Sequence, residues 1–309
     1  MSFPMTHLLR PLRSLAAPLE AGLRHVGAVQ ESALAGVGRD VFNRSPEASR
    51  ALSVMAGRRA QAAPVTLLGA GFIQQLDRVV NPLGHYSEPG MKQAREAFYD
   101  QLYRQPDLQA QAHTMLKKWV TGGNDQNVVR DAFMALAEAQ GRAATPEQTL
   151  VRDLLATRQE RWERLAQRFG ETAPTHFHLY RGVRGEYAIE EIVAALETPG
   201  RKTVTLSHHT VASWTTDVRQ ARRFADSPAA SVIYEADIPM HQTLADKWVD
   251  GSGFLMWCAE QQEVMVAARE LQVPLDRFEV TFRGKTYGPA QRDDLVRAWR
   301  AAHPRAQAA

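Results

Sequence analysis

The chain of 309 residues has a single cysteine, Cys258. That excludes an internal disulfide framework and a cysteine-built zinc site. It has no apolar run approaching the roughly eighteen residues that a membrane-crossing helix needs, so no membrane span is expected. An excess of charge of one sign is also missing from most of the chain. The formal net charge is +3, yet residues 1–62 hold eight arginines, no lysine and only four acidic residues (Glu20, Glu31, Asp40 and Glu47). This segment alone carries +4, which leaves the remainder at −1. A nucleic-acid enzyme more often carries a basic face on its folded part, so no nucleic-acid partner is expected. Hydrophobic residues at 44% and charged residues at 23% give the balance of a globular protein that is stabilised by packing.

Residues 1–62 are rich in Ala, Arg, Ser and Gly, and prolines at 4, 11, 18 and 46 interrupt every helical pattern. No continuous apolar region of the kind that defines a Sec signal occurs there. The composition predicts a mobile arm. It also suits a non-cleaved export signal that binds a secretion chaperone.

Residues 63–172 read as a helical lobe. Ala94, Ala97, Phe98 and Leu102 recur at helical spacing, and Pro106 opens a second helix with a stripe of Leu108, Ala112, Met115, Leu116 and Trp119. Gly122 and Gly123 stop it, and Val128, Val129, Ala132, Phe133 and Leu136 mark a third. Thr145, Pro146 and Gln148 form a capping-box pattern that predicts a fourth helix running to Phe169 and ending at Gly170. The aromatic residues of this half are expected in the core.

Residues 173–300 change character. "THFHLYRGV", "TVASWTT", "ASVIYEADIP", "EVMVAA" and "RFEVTFRG" read as strands, with helices at "EYAIEEIVAALE" and "DVRQARRFAD". A helical half followed by a strand-dominated half predicts an α+β fold. Two motifs fall away. "LLGAGF" has Gln74 where a dinucleotide fingerprint has its third glycine, and a turn between helices is expected there instead. His176 and His178 share a strand face, but without a matched carboxylate motif they read as satisfied or exposed histidines, as do His208 and His209.

Three short stretches remain. "LYRG" puts Arg181 at a strand end, followed by Gly182, which permits close backbone approach. "ASWTTDVRQARRFA" sends Ser213 and Thr215 to one face of a strand and Trp214 to the other. "CAEQQEVMVAA" sets Gln261 two residues before Glu263, which heads a buried strand. In this order the three stretches resemble the arginine, serine and glutamate motifs of bacterial mono-ADP-ribosyltransferases, over roughly residues 177–282. The set is similar to that of type III effectors of plant pathogens.

The resemblance implies an ADP-ribosyltransferase fold: two packed, mainly antiparallel sheets with an N-terminal helical lobe. It implies transfer of ADP-ribose from NAD to a side chain of a host protein, with release of nicotinamide and no metal. An NAD glycohydrolase and a non-catalytic interaction protein on the same fold are the alternatives. Glu263, Gln261 and Ser213 are the implied catalytic set, and Arg181, Gly182, Ser213, Thr215 and Glu263 the implied NAD site. Glu263 would stabilise the oxocarbenium-like ribose electrostatically. Arg181 would donate as a planar fork to the phosphate or ribose. Ser213 would hold Glu263 in register, with Thr215 supporting the strand. Gln261, Glu260 and Trp257 would meet the acceptor, the neutral Gln261 suiting an Asn, Gln or Thr side chain. The position five before the glutamate, usually aromatic in such enzymes, holds Cys258. A secreted protein injected into a host cell would fit both the arm and this chemistry.

Overall fold

The structure, a computed structural model, describes residues 65–85, 89–103, 105–121, 124–138, 144–206, 211–250, 262–268 and 270–304. Expectations about residues 1–62, His208, His209, Trp257, Cys258, Glu260 and Gln261 therefore fall outside the described residues. Among the described residues six helices come first: α1 (Ala70–His85), α2 (Pro89–Asp100), α3 (Pro106–Thr121), α4 (Asn124–Glu138), α5 (Pro146–Ala156) and α6 (Arg158–Arg168).

Helix α1 replaces the turn expected around "LLGAGF". Phe72, Leu76 and Val80 stand four residues apart and are all buried, and Phe72 meets Trp162 and Phe169 edge-on. Tertiary burial of that stripe outweighs the poor helix propensity of its glycines and Pro82. The stripes expected on α2, α3 and α4 are buried or half-buried at Ala94, Phe98, Leu108, Ala112, Met115, Leu116, Trp119, Val129, Ala132 and Phe133, and Leu102, just beyond α2, is buried too. Val128 and Ala97 are exceptions and lie exposed, and the side chain of Leu136 falls outside the described residues.

The capping box forms as expected. Thr145 Oγ1 accepts from the Gln148 amide at 3.2 Å, and Gln148 Oε1 accepts from the Thr145 amide at 3.1 Å. The helix it opens is not continuous to Phe169, however. Thr157 takes φ −96° and ψ 2°, its hydroxyl donates back to the Asp153 carbonyl at 2.7 Å, and the chain restarts as α6. Gly170, at φ +68°, lets the Glu171 amide close onto the Ala166 carbonyl at 3.0 Å and ends α6 near the expected place. The break re-aims α6, so Arg158, Arg161, Trp162, Leu165 and Ala166 are buried together.

The second half is β1 (His176–Arg184), α7 (Glu186–Leu196), β2 (Thr203–Leu206), β3 (Val211–Thr215), α8 (Val218–Phe224), β4 (Ala230–Pro239), β5 (Thr243–Asp246), β6 (Glu263–Ala267), β7 (Leu271–Pro274), β8 (Phe278–Phe282), β9 (Lys285–Tyr287) and α9 (Arg292–Ala302). Seven strands make one sheet in the order β5-β6-β3-β1-β4-β8-β9, and β2 and β7 make a separate ribbon. Every pairing within the sheet and the ribbon is antiparallel. The expected α+β class is therefore observed, with two sheets of very unequal size. One continuous apolar core runs from Leu68 in the helical half to Leu295 in α9.

Two features of this sheet position the candidate site. First, β1 pairs with β4 along its whole length but with β3 only at Tyr180–Thr215. Second, α8 lies against β1 where Gly182 sits. A Cβ built on Gly182 would stand 1.9 Å from the Ala221 carbonyl oxygen and 2.8 Å from the Ala225 nitrogen. The close backbone approach expected at Gly182 is thus made by helix α8 itself. Arg184 ties the same helix down, donating to the Phe224 and Arg223 carbonyls at 2.8 and 3.1 Å. Gly182→Ala should accordingly cost about 1–3 kcal/mol, because helix backbone rather than a flexible side-chain end must move. A urea unfolding midpoint equal to that of the unsubstituted protein would contradict this packing.

Candidate active site

Strand β3 brings the serine and β6 the glutamate. Thr215 pairs with Glu263 and Ser213 with Met265, so Ser213 and Glu263 are diagonal neighbours on one face, two residues out of register. The Ser213 hydroxyl donates to Glu263 Oε1. Glu263 is itself buried, at 7% exposure, a position at which a carboxylate needs hydrogen-bond donors.

A second donor comes from a residue that the sequence places simply in the core. Trp119, on α3, sends its indole Nε1–H to Glu263 Oε1 at 3.2 Å and to Ser213 Oγ at 3.3 Å. It remains a core residue, with 2% exposure, but its polar edge closes a Ser–Trp–Glu cluster. The Ser213 hydroxyl and the Trp119 indole are neutral donors that orient the carboxylate.

Thr215 is buried and opposite Glu263, but its hydroxyl is turned to the chain ahead, accepting from the Asp217 amide at 3.1 Å. Asp217 then caps α8 by accepting from the Arg219 amide at 2.9 Å. The Arg219 guanidinium also hydrogen-bonds this carboxylate and holds its pKa below the usual range. Thr215 therefore supports the turn from the serine strand into α8.

Arg181 arrives from β1. Its Nη1 donates to the Ser213 carbonyl at 3.3 Å, at the place where the β1–β3 ladder has stopped. Its Nε is buried with no hydrogen-bond partner among the described residues. Burial pulls its pKa down to about 10, so the guanidinium keeps its charge at neutral pH. A second guanidinium, unforeseen from the sequence, stands beside the same strand. Arg130 of α4 donates through Nε to the Val211 carbonyl at 3.2 Å, and its guanidinium carbon lies 5.4 Å from the Trp119 ring centroid. Val211 and Ser213 are two residues apart, so their carbonyls leave the same edge of β3. Two cations line that edge, and Arg130 further lowers the pKa of Arg181 by repulsion.

His178 joins Asp237 through Nδ1 at 2.7 Å and the Tyr180 hydroxyl through Nε2 at 2.9 Å, and His176 Nδ1 meets Thr175 Oγ1 at 3.0 Å. Among the described residues no group of three or more His, Cys, Asp or Glu side chains is placed to hold a metal ion. Nor is any helix among them long and apolar enough to cross a membrane.

Chemically, the cluster offers an anchored carboxylate, a hydroxyl fixed to it, and two cations along the adjoining strand edge. Such a set can bind a phosphate-bearing ligand and present a negative charge to a developing carbocation. Comparison with protein-family models, curated proteins and solved structures finds no match to this chain.

Proposed function

We propose that the protein transfers ADP-ribose from NAD to a side chain of a host protein, on an ADP-ribosyltransferase fold. The observation that carries this reading is the convergence of three stretches distant in sequence. Arg181 hydrogen-bonds the backbone of Ser213, and the side chain of Ser213 hydrogen-bonds Glu263. Each stretch alone is ordinary; the strand order β6-β3-β1 sets the three side by side.

In this reading Arg181 and Arg130 bind the pyrophosphate of NAD, the fork geometry of each guanidinium suiting phosphate oxygens. Glu263 faces the ribose as the bond to nicotinamide breaks and cationic character builds on the sugar carbon. The pair of electrons leaves with nicotinamide, and the nucleophilic side chain of the acceptor takes its place on that carbon. Ser213 and Trp119 keep the carboxylate oriented during that step. Gln261, with Glu260 and Trp257, is the acceptor-side set, so an Asn, Gln or Thr side chain is the proposed target.

The test is incubation with labelled NAD and a host-cell lysate, followed by mass spectrometry of the labelled protein. Labelling of a defined side chain supports transfer. Nicotinamide release with no labelled protein would make the protein an NAD glycohydrolase, and no release would reject the enzymatic reading. The arm of residues 1–62 is proposed as an export signal with a chaperone-binding segment. Its deletion should leave nicotinamide release and the thermal midpoint nearly unchanged. A large loss of stability would place the arm in the core instead.

A further inference from the structure

Asp77, on α1, holds three donors with one carboxylate. Its Oδ1 accepts from Lys247 Nζ at 2.8 Å and from Trp248 Nε1 at 2.9 Å, and its Oδ2 accepts from Gln262 Nε2 at 3.2 Å. Two of these donors precede residues 251–261 in the chain and the third follows them. Gln262 is also one of only two non-glycine residues with positive φ among the described residues, at +48°. A side-chain-bearing residue in that region is strained and persists only where its surroundings fix it.

Those surroundings can be named. The Gln262 amide is used at both ends, Nε2 donating to Asp77 and Oε1 accepting from the Thr216 hydroxyl. Its backbone carbonyl accepts from the Thr216 amide at 3.3 Å. Thr216 directly follows β3, the serine strand, and the residue after Gln262 is Glu263. Asp77 and Thr216 thus grip, from the helical lobe and from the serine strand, the one strained residue that sets the entry of Glu263 into β6.

We propose that Asp77 is a positioning residue for Glu263, acting through Gln262. Through Gln262 it fixes the backbone turn from which that carboxylate departs. This rests on the reading of Glu263 as the NAD-facing carboxylate for its kinetic consequence, but not for its structural one. Lys247, 1% exposed at its side chain, is the confounding partner, since losing Asp77 also strips a buried cation of its counter-ion.

Three full-length variants separate the two effects. Asp77→Ala removes both. Asp77→Asn removes the charge partner of Lys247 but keeps an amide able to hydrogen-bond Gln262 after a flip of the latter. Gln262→Gly keeps the left-handed backbone accessible and leaves the Asp77–Lys247 pair intact, yet deletes both side-chain bonds. The expected result is a kcat for nicotinamide release lowered roughly tenfold in Asp77→Ala and Gln262→Gly, with KM for NAD within about twofold. Asp77→Asn should lose thermal stability and keep most of its kcat. Amide hydrogen exchange at residues 262–264 should quicken in the first and third variants while exchange in β4 stays unchanged. The proposal is overturned if kcat merely follows thermal stability across the three, or if exchange at 262–264 is the same in all. Should the unsubstituted protein release no nicotinamide, the assignment to NAD fails, and the exchange measurement alone decides the role of Asp77.

Discussion

Glu263→Gln is expected to leave the fold intact and to slow nicotinamide release from NAD by at least about a hundredfold, the scale for removing one transition-state electrostatic partner. The replacement is close to isosteric. The amide oxygen of glutamine can still accept the Ser213 hydroxyl and the Trp119 indole, which meet Oε1 in this site. The glutamate strand stays paired from Thr215–Glu263 to Val211–Ala267, because those bonds are backbone. What disappears is the negative charge. A cation developing on ribose then meets a neutral amide, in a place too buried for water to compensate. The loss should fall on kcat, with KM for NAD little changed, since an interaction made mainly in the transition state is removed. Near-normal turnover by a folded Glu263→Gln protein would sink the enzymatic reading.

The site was partly legible in the sequence, and the split follows a physical line. Arg181, Ser213 and Glu263 could be singled out because their three short stretches, each ordinary alone, resemble in their order the motifs of a known family. Trp119, Arg130 and Asp77 could not. Trp119 lies 144 residues from Glu263 in sequence and Asp77 185 residues from Gln262, and both sit on helices whose periodicity explains them as ordinary helix residues. No local pattern records which helix face will meet which strand. The capping box at Thr145 and the stop at Gly170 were legible for the converse reason: caps are satisfied within a few residues. Short strands such as β2, β5, β7 and β9, of three or four residues, carry too few alternations to stand out. Helix α1 was hidden by its glycines and Pro82, and α9 by its run of charges. The division of the fourth predicted helix at Thr157 had no signal but a threonine whose hydroxyl turns back on Asp153.

That division matters most for stability, because it buries Arg158. Replacing Arg158 with Met should destabilise the protein by about 3–5 kcal/mol, the cost of leaving buried charge without its partner. All three guanidinium nitrogens of Arg158 are engaged: Nη2 with Asp246, Nη1 with Asp250 at 2.8 Å, and Nε with Thr243 Oγ1 at 2.9 Å. Both carboxylates have fully buried side chains. Without Arg158, Asp246 keeps the Trp162 indole at 2.8 Å and the amides of Trp248 and Val249 at 2.7 and 3.0 Å, but it loses the cation in contact with it. Asp250 retains Arg161 Nε at 3.3 Å and the Tyr103 hydroxyl, whose own proton is held firmly by burial and by the charge of Asp250. Arg158→Lys should recover only part of the loss, since a single ammonium cannot bridge two carboxylates and a hydroxyl as the fork does. Arg297, exposed beside Asp294 on α9, is the control; its replacement by Ala should change stability by less than about 1 kcal/mol. Urea unfolding at constant m reads all three. A midpoint for Arg158→Met like that of the control would mean that the ion pairs of Arg158 with Asp246 and Asp250 do not stabilise the fold. In that case the anchor of the chain leading into residues 251–261 is hydrogen bonding alone.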